Sequence, residues 1–515
     1  MNFKVFVPFG YEGDTADVCV KIEKGDNAFD IKGLFKDDVE STKECVRSAI
    51  ENSGYTFPEG KVTVTLNAEN LLHSADMCSF AIALAILAES KPDAVVIGTD
   101  NVTVGVVGEL LPSGKVCTVR GAYAAARTLL GAGVRTAFFP MDTEALPDHI
   151  HIERVESLNE AFVRLCDEDN IYITETYTKT ACCISNGFTV EEDAKISFKP
   201  VTNDDENPMG LVGRDLLYAL AVAAAGRHSI MIMGNANDRM RNNAIKCMSY
   251  LLPNLYKTEQ DSVNRIYSIA GLMKPDRKII HRPFQAPSST AGIEAIFGGG
   301  KECNPGTISL AHKGVLFLDD ASEFKTSVLQ MLGVPLSTGN ITISRAGRQT
   351  VFPANFKLAM TVSPCPCGHS GAECLCSETA IRQHQDKVCK PLLKNIEIAF
   401  NMDFPPAAHR EFENLSDLHK RIQTAVKRQL DRQGVFNGEL TDTGVEATCV
   451  STGEASRYLG AYMGERNIPA KYRNTILCLA RTILDLQEGN YNYIGSSSMI
   501  KACNMFSGFP RSHYM

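Results

Sequence analysis

The stretch SIMIMGNANDRMR, residues 229–241, sets the terms for the whole chain. The apolar run at 229–233 predicts a buried strand, and residues 242–252 predict a helix. A strand, a tight loop and a helix make the frame of a phosphate-binding loop, whose pattern is G-x-x-x-x-G-K-[ST]. Only the first glycine, Gly234, fits. Arg239 stands at the second glycine, Met240 at the lysine and Arg241 at the Ser/Thr. The frame is one that holds nucleotide, without its phosphate grip.

Each substitution has a physical consequence. In a working loop, glycines let backbone N–H groups approach the phosphates, and the lysine neutralises charge on the β- and γ-phosphates. Asn237 suits a tight turn, whereas Arg239 brings a Cβ where glycine is wanted. Met240 donates no hydrogen bond. Asp238, at a helix N-terminus, caps the free amides with its own carboxylate and so occupies the ground of a triphosphate. Arg239 and Arg241 are the positive charges left for a phosphate to meet.

The bulk numbers bound the alternatives. A chain of 515 residues has room for roughly two to four domains. Hydrophobic content of 44% and charged content of 22% are ordinary for a soluble globular protein. No uncharged apolar run is long enough to span a bilayer, and the start, MNFKVFVPFGYEGD, lacks the apolar centre of a signal peptide. A formal net charge of -8 argues against a uniformly basic nucleic-acid binder. Seventeen cysteines, an odd count, read as reduced thiols in a cytoplasmic protein and not as a disulfide framework.

Residues 1–166 alternate strands and helices. Strands are expected at 18–22, 61–66, 94–97 and 103–107, and helices at 38–52 and 78–89. In GELLPSGKVCTVRGAYAAARTLLGAG, 108–133, a turn at Pro112-Ser113-Gly114 leads to a short strand and then a helix capped by Gly131. With its phrases VRSAIENSGYTFPEGKVTVTLNAENL and GELLPSGKVCTVRGA, this part resembles the Lon-protease-like (ribosomal S5 domain 2-like) domain of magnesium-chelatase-like proteins of the ComM/YifB group. A Lon-type peptidase needs a serine activated by a lysine. The resemblance puts Met77 at the serine and Tyr123 at the lysine, with Ser74 and Ser79 merely flanking. A folded accessory domain is expected, not a peptidase. Residues 167–209 are polar and acidic and are expected to be a linker with some strand content.

From residue 210 to 406 the resemblance to ComM/YifB AAA+ proteins is close. It rests on LVGRDLLYALAVAAAGRHSIMIMG, RPFQAPSST (where Ser288 and Ser289 replace a histidine pair), GGGKECNPGTISLAHKGVLFLDDASEF, ITISRAGRQTVFPANFKLAM and PCPCG. It implies a parallel α/β P-loop-type core that uses ATP and Mg²⁺. The VLFLDD strand ends in the family's carboxylate pair: Asp319 can hold Mg²⁺ through water, while Asp320 replaces a glutamate and is one methylene shorter. The plainer alternative is a buried strand whose acidic end caps the next turn. Ser363 stands where the family has asparagine, Asn395 where it has a trans-acting arginine, and Lys471 where it has an arginine in the C-terminal helix. These departures predict little or no hydrolysis, that is, a pseudo-ATPase.

Cys365, Cys367, Cys374 and Cys376 form C-x-C-x₆-C-x-C. Four thiolates so close can satisfy tetrahedral Zn²⁺; a compact loop of free thiols is the alternative, and His369 is a poorer ligand. The ComM-type resemblance also implies a hexameric plan around DNA, with Arg282 (beside KPDRK, 274–278), Arg345 and Arg348 as DNA-contact candidates. Residues 407–515 are expected to be helical. Ile422, Val426 and Leu430 form one apolar stripe and Ile476, Leu479, Ile483 and Leu486 another, as in the family's helical lid, while 491–515 are expected to be loosely ordered. The leading expectation is a non-hydrolysing scaffold or subunit in DNA-related processes, a homo-oligomer or the partner of an active relative. An ATP-dependent DNA motor with an unorthodox loop and a zinc-stabilised nucleic-acid-binding module are the rivals.

Overall fold

A computed structural model of the protein describes residues 2–67, 75–95, 103–167, 196–200, 213–234, 244, 247–275, 277–300, 303–345, 348–369, 374–402, 414–489 and 491–506. Strict alternation at the front of the chain builds its first sheet. In strand Lys61–Asn67, Val62, Val64 and Leu66 point inward between polar neighbours. Seven strands lie in the order Ala28–Lys32, Lys61–Asn67, Asp14–Glu23, Asn2–Val7, Thr103–Val106, Thr136–Pro140, His151–Val155. Helix Ala75–Ser90 is apolar all round from Cys78 to Leu87, and it is correspondingly buried, packed on strands Asn2–Val7 and Asp14–Glu23.

The second sheet holds five strands, ordered Phe284–Gln285, Val315–Leu318, Lys357–Val362, Ile230–Met233, Ile398–Asn401. Every neighbouring pair is parallel. Strands Ile230–Met233 and Val315–Leu318 are buried at each position, as continuous apolar runs covered on both faces require. This mostly parallel α/β arrangement fits an AAA+ core. Helix Arg214–Gly226 leads into it and is buried from Leu216 to Gly226. Helices Leu415–Gln433, Gly453–Glu465, Arg473–Asp485 and Ser496–Phe506 complete the chain and share one apolar cluster with the sheet. Residues Phe3 to Leu165 form a separate cluster.

Several expectations change in detail. Strands Asn2–Val7, Ala28–Lys32, Thr136–Pro140 and His151–Val155 have no counterpart in the sequence reading. Helix Ala122–Gly131 contains Gly131, and its left-handed residue is Gly133, at φ +84, where Gly133 N–H and Val134 N–H close the helix onto Leu130 and Leu129 carbonyls. The expected strand at 94–97 falls partly outside the described residues, as does most of the 167–209 segment. The tail needs correction: Ser496–Phe506 is a helix that buries Met499, Ala502, Cys503, Met505 and Phe506. Its apolar spacing lies among three serines, Lys501 and Asn504, which mask it in the sequence.

The two clusters meet at helix Lys257–Ile269. Tyr123 donates its hydroxyl to Asp261 at 2.9 Å and its amide to Glu144 at 2.7 Å. Arg127 pairs with Asp261 at 2.8 Å, and Arg265 donates to Thr128 at 2.8 Å while lying over the Tyr11 ring. Gly10 abuts Thr350 so closely that an added Cβ would sit 1.5 Å from its hydroxyl oxygen.

Candidate functional site

The five parallel strands carry four of the residues expected around nucleotide, Gly234, Asp319, Asp320 and Ser363, at their carboxyl ends. Gly234, at φ +133, follows strand Ile230–Met233, while Asp238, Arg239, Met240 and Arg241 lie outside the described residues. Two strands over, beyond Lys357–Val362, Val315–Leu318 ends at Asp319 and Asp320. Asp319 is exposed and accepts from the Thr361 hydroxyl at 3.1 Å. Asp320 takes the left-handed conformation, at φ +43, and its amide donates to the same Thr361 oxygen at 2.8 Å.

The Asp320 carboxylate is engaged by its own turn. One oxygen accepts from the Ser322 amide at 3.3 Å and from the Ser322 hydroxyl; the other accepts from the Ser363 hydroxyl. A side chain that caps the following turn Ala321–Glu323 in this way has its lone pairs directed at protein donors. Ser363 is buried, so the asparagine position of the family pattern serves here to hold Asp320. Lys471 is exposed and lies over the Tyr472 ring, with 5.0 Å from Nζ to the centroid. Asn395 buries its Nδ2, which finds no acceptor among the described residues.

The cysteine quartet forms a second centre beside the first. Its four sulfurs all lie within 4.8 Å of one another. Cys365 and Cys367 are 3.1 Å apart, Cys374 and Cys365 3.3 Å, and Cys367 and Cys374 3.8 Å. Zinc bonds of about 2.3 Å in a tetrahedron place sulfurs about 3.8 Å apart, so this donor set fits the ion. Cys365 is buried, Cys367 is exposed and the other two are intermediate. Burial and the bond with Cys367 push the Cys365 thiol up to about 12; the bond from Cys365 and the His369 amide pull Cys367 down to about 6. Of these two, Cys367 is the sulfur more readily held as thiolate, the form a metal takes.

Three family descriptions together match most of the chain. The family description "Magnesium chelatase, subunit ChlI" matches residues 213–410. "Subunit ChlI of Mg-chelatase" matches 18–143, and the C-terminal region of that subunit matches 413–505. Protein YifB of Salmonella typhimurium is 27% identical over 491 residues, covering 93% of this chain and 92% of the relative. Competence protein ComM of Haemophilus influenzae is 26% identical over 494 residues, again covering 93% and 92%. The chain belongs to the magnesium-chelatase-like ComM/YifB group.

For a ComM/YifB-group chain, three placements stand out against the sequence reading. Arg282 is a correction. Its side chain is buried, donates to Glu259 at 2.6 and 3.2 Å and to the Lys313 carbonyl at 2.7 Å, and lies over Phe436. A guanidinium so enclosed offers nothing to a phosphate outside. The neighbouring basic stretch is partly committed too, since Lys278 pairs with Asp148 at 3.2 Å. Arg345 and Arg348 are cross-strand partners at the turn end of hairpin Asn340–Arg345/Arg348–Pro353. At the Lon-like positions, Met77 is buried, Ser79 accepts from the Leu110 amide at 3.1 Å, and Tyr123 is turned to Asp261; Ser74 lies outside the described residues.

What the sequence reading missed altogether is a buried ionic layer at the starts of the same parallel strands in this ComM/YifB-group fold. Arg227 pairs with Glu439 at 2.7 Å and Glu259 at 3.5 Å; Lys357 approaches Glu397 at 3.7 Å. Burial works to raise the Glu259 carboxyl, but Arg282 and then Arg227 hold it below the usual range. The available signal was Arg227 itself, a charge directly after an unbroken apolar helix.

Proposed function

We propose that this magnesium-chelatase-like chain carries a degraded nucleotide site and acts as a non-hydrolysing scaffold or subunit in DNA-related processes. One observation carries the reading: the carboxylate of Asp320, in the position that orients water in an active relative, is held by Ser322 and Ser363 as a turn cap. Met240 at the lysine position of the phosphate loop, with Asp238 and Arg239 beside it, supports the same conclusion from the sequence. The family implies ATP and Mg²⁺, and in this chain Asp319 is the carboxylate left to meet a metal ion.

In this reading residues 1–166 are a Lon-protease-like accessory domain, 167–209 a linker, 210–406 the AAA+ core and 407–515 a helical lid that packs on the core and on a neighbouring subunit. The chain works in the cytoplasm as a homo-oligomer, hexameric by family resemblance, or beside an active relative. Zn²⁺ at Cys365, Cys367, Cys374 and Cys376 supplies a structural cross-link, which the sulfur spacing supports. DNA contact falls to Arg345 and Arg348, and the name of the Haemophilus influenzae relative, a competence protein, is one support for that setting.

Titration calorimetry with ATP and with ADP, in Mg²⁺, with and without single-stranded DNA, tests the proposal. No heat up to millimolar nucleotide is the expected result. Micromolar binding that Asp319→Asn abolishes would overturn it in favour of an ATP-dependent DNA motor. Salt-sensitive DNA binding indifferent to ATP would instead favour a zinc-stabilised nucleic-acid-binding module.

A further inference from the structure

The cysteine quartet and the acidic turn at Asp319–Asp320 are tied together by one helix. Strand Lys357–Val362 runs into Ser363 and Pro364, and Cys365 follows at once. The chain turns, with Gly368 N–H donating to the Cys365 carbonyl at 3.0 Å, and later passes Cys374 and Cys376. Helix Glu378–Leu392 then begins, its first turn closed by Ser377, whose hydroxyl accepts from Ala380 N–H at 3.3 Å.

That helix reaches back to the strand end it came from. His384 Nε2 donates to the Ser363 carbonyl at 3.0 Å, and Gln385 Nε2 donates to the Pro364 carbonyl at 3.1 Å. Lys387 Nζ donates to the Ser322 carbonyl. Ser322 and Ser363 are the two residues whose hydroxyls hold the Asp320 carboxylate. The helix also packs against the turn Ala321–Glu323 and against helix Thr326–Thr338. The segment from Cys365 to Cys376 therefore closes a loop whose two ends are this strand and this helix.

Thiols hydrogen-bond weakly, so sulfur contacts alone leave the loop poorly latched. Metal–thiolate bonds close such a loop covalently in effect, and the helix that follows is then set in register. We infer that a zinc-type divalent cation on the quartet is the latch for helix Glu378–Leu392, and that His384, Gln385 and Lys387 are positioning residues that transmit this setting to the Asp319–Asp320 turn. The inference rests on the reading of the quartet as a metal site. It gives the quartet a duty independent of hydrolysis: it keeps the carboxyl ends of two central strands braced.

The test uses the full-length protein and zinc alone as probe. Zinc per chain is measured colorimetrically on thiol release, and amide hydrogen exchange is followed by mass spectrometry in zinc-loaded, chelator-stripped and reloaded samples. About one zinc per chain is expected. Stripping is expected to speed exchange at 319–324 and 361–366 about tenfold, reversibly, with strand Asn2–Val7 unchanged. In Gln385→Leu/Lys387→Met, zinc content should be retained while 319–324 exchanges fast and no longer responds to metal. One zinc per chain with identical exchange at 319–324, loaded and stripped, overturns the coupling and leaves the metal site standing. No retained zinc overturns the metal reading, and the coupling falls with it.

Discussion

The two ends of the central parallel sheet have been treated in opposite ways. At the strand starts, Arg227, Arg282, Lys313 and Lys357 face Glu259, Glu397 and Glu439 in a largely buried layer. At the strand ends, where the proposed reading puts the nucleotide site, Met240 stands at the lysine position of the phosphate-loop pattern and the Asp320 carboxylate is a cap. Charge at the strand starts is enclosed and paired, whereas at the strand ends Asp320 is diverted into a cap and Asp319 stays exposed. A buried ion whose partner is removed is costly, whereas an exposed ligand-binding charge can be exchanged with little effect on folding. In the proposed reading, the difference separates charges that the fold needs from charges that only nucleotide handling would use.

The sharpest way to break that contrast is Glu259→Gln, which leaves Arg227 and Arg282 enclosed without their shared carboxylate. A loss of about 3–5 kcal/mol in unfolding free energy is expected. Chemical denaturation showing a loss below about 1 kcal/mol would mean that the fold does not depend on these enclosed pairs.

Acid acts on the same end. Burial pushes His228 and His312 down to about 3, so both stay neutral in the fold while the unfolded chain protonates them near their ordinary value. A lowered folded-state pKa means that the unfolded state binds more protons as pH falls below about 6.5. The neutral histidines therefore cost stability on acidification, about 2 kcal/mol each at pH 5. Glu144 and Glu397, held above the usual carboxyl range by burial, work in the opposite direction and offset part of this. Thermal melts should stay level from pH 7.5 to about 6.5 and fall from there to 4.5, and His312→Asn should flatten that fall.

The smallest effects belong to the strand ends. Asp320→Ala removes a cap and should cost about 1 kcal/mol, read as a shifted denaturation midpoint. Asp319→Ala should stay within about 0.5 kcal/mol of the parent. Equal losses at the two positions would erase the distinction drawn between cap and exposed carboxylate.

Much of this was legible beforehand for a physical reason. Long apolar runs such as Ile230–Met233 and Val315–Leu318 declare buried parallel strands, and four cysteines in twelve residues can gather with little help from the rest of the chain. Arg282 was not legible. In sequence it sits among basic residues that suggest an exposed stripe, and only Glu259 and Phe436, far along the chain, turn it inward. The closing helix Ser496–Phe506 was lost for a related reason: its three serines, Lys501 and Asn504 lower the apolar signal, and its burial comes from helices Gly453–Glu465 and Arg473–Asp485.

The family, the α/β alternation and the cysteine spacing could be read from the sequence alone, because each is carried by neighbouring residues. Only the tertiary structure decided which charges are buried together, that Tyr123 joins the front of the chain to Asp261, and that Ser322 and Ser363 hold Asp320. Those outcomes depend on partners between two and well over a hundred residues apart, and the low dielectric of the interior makes such pairings matter only once the chain has closed around them.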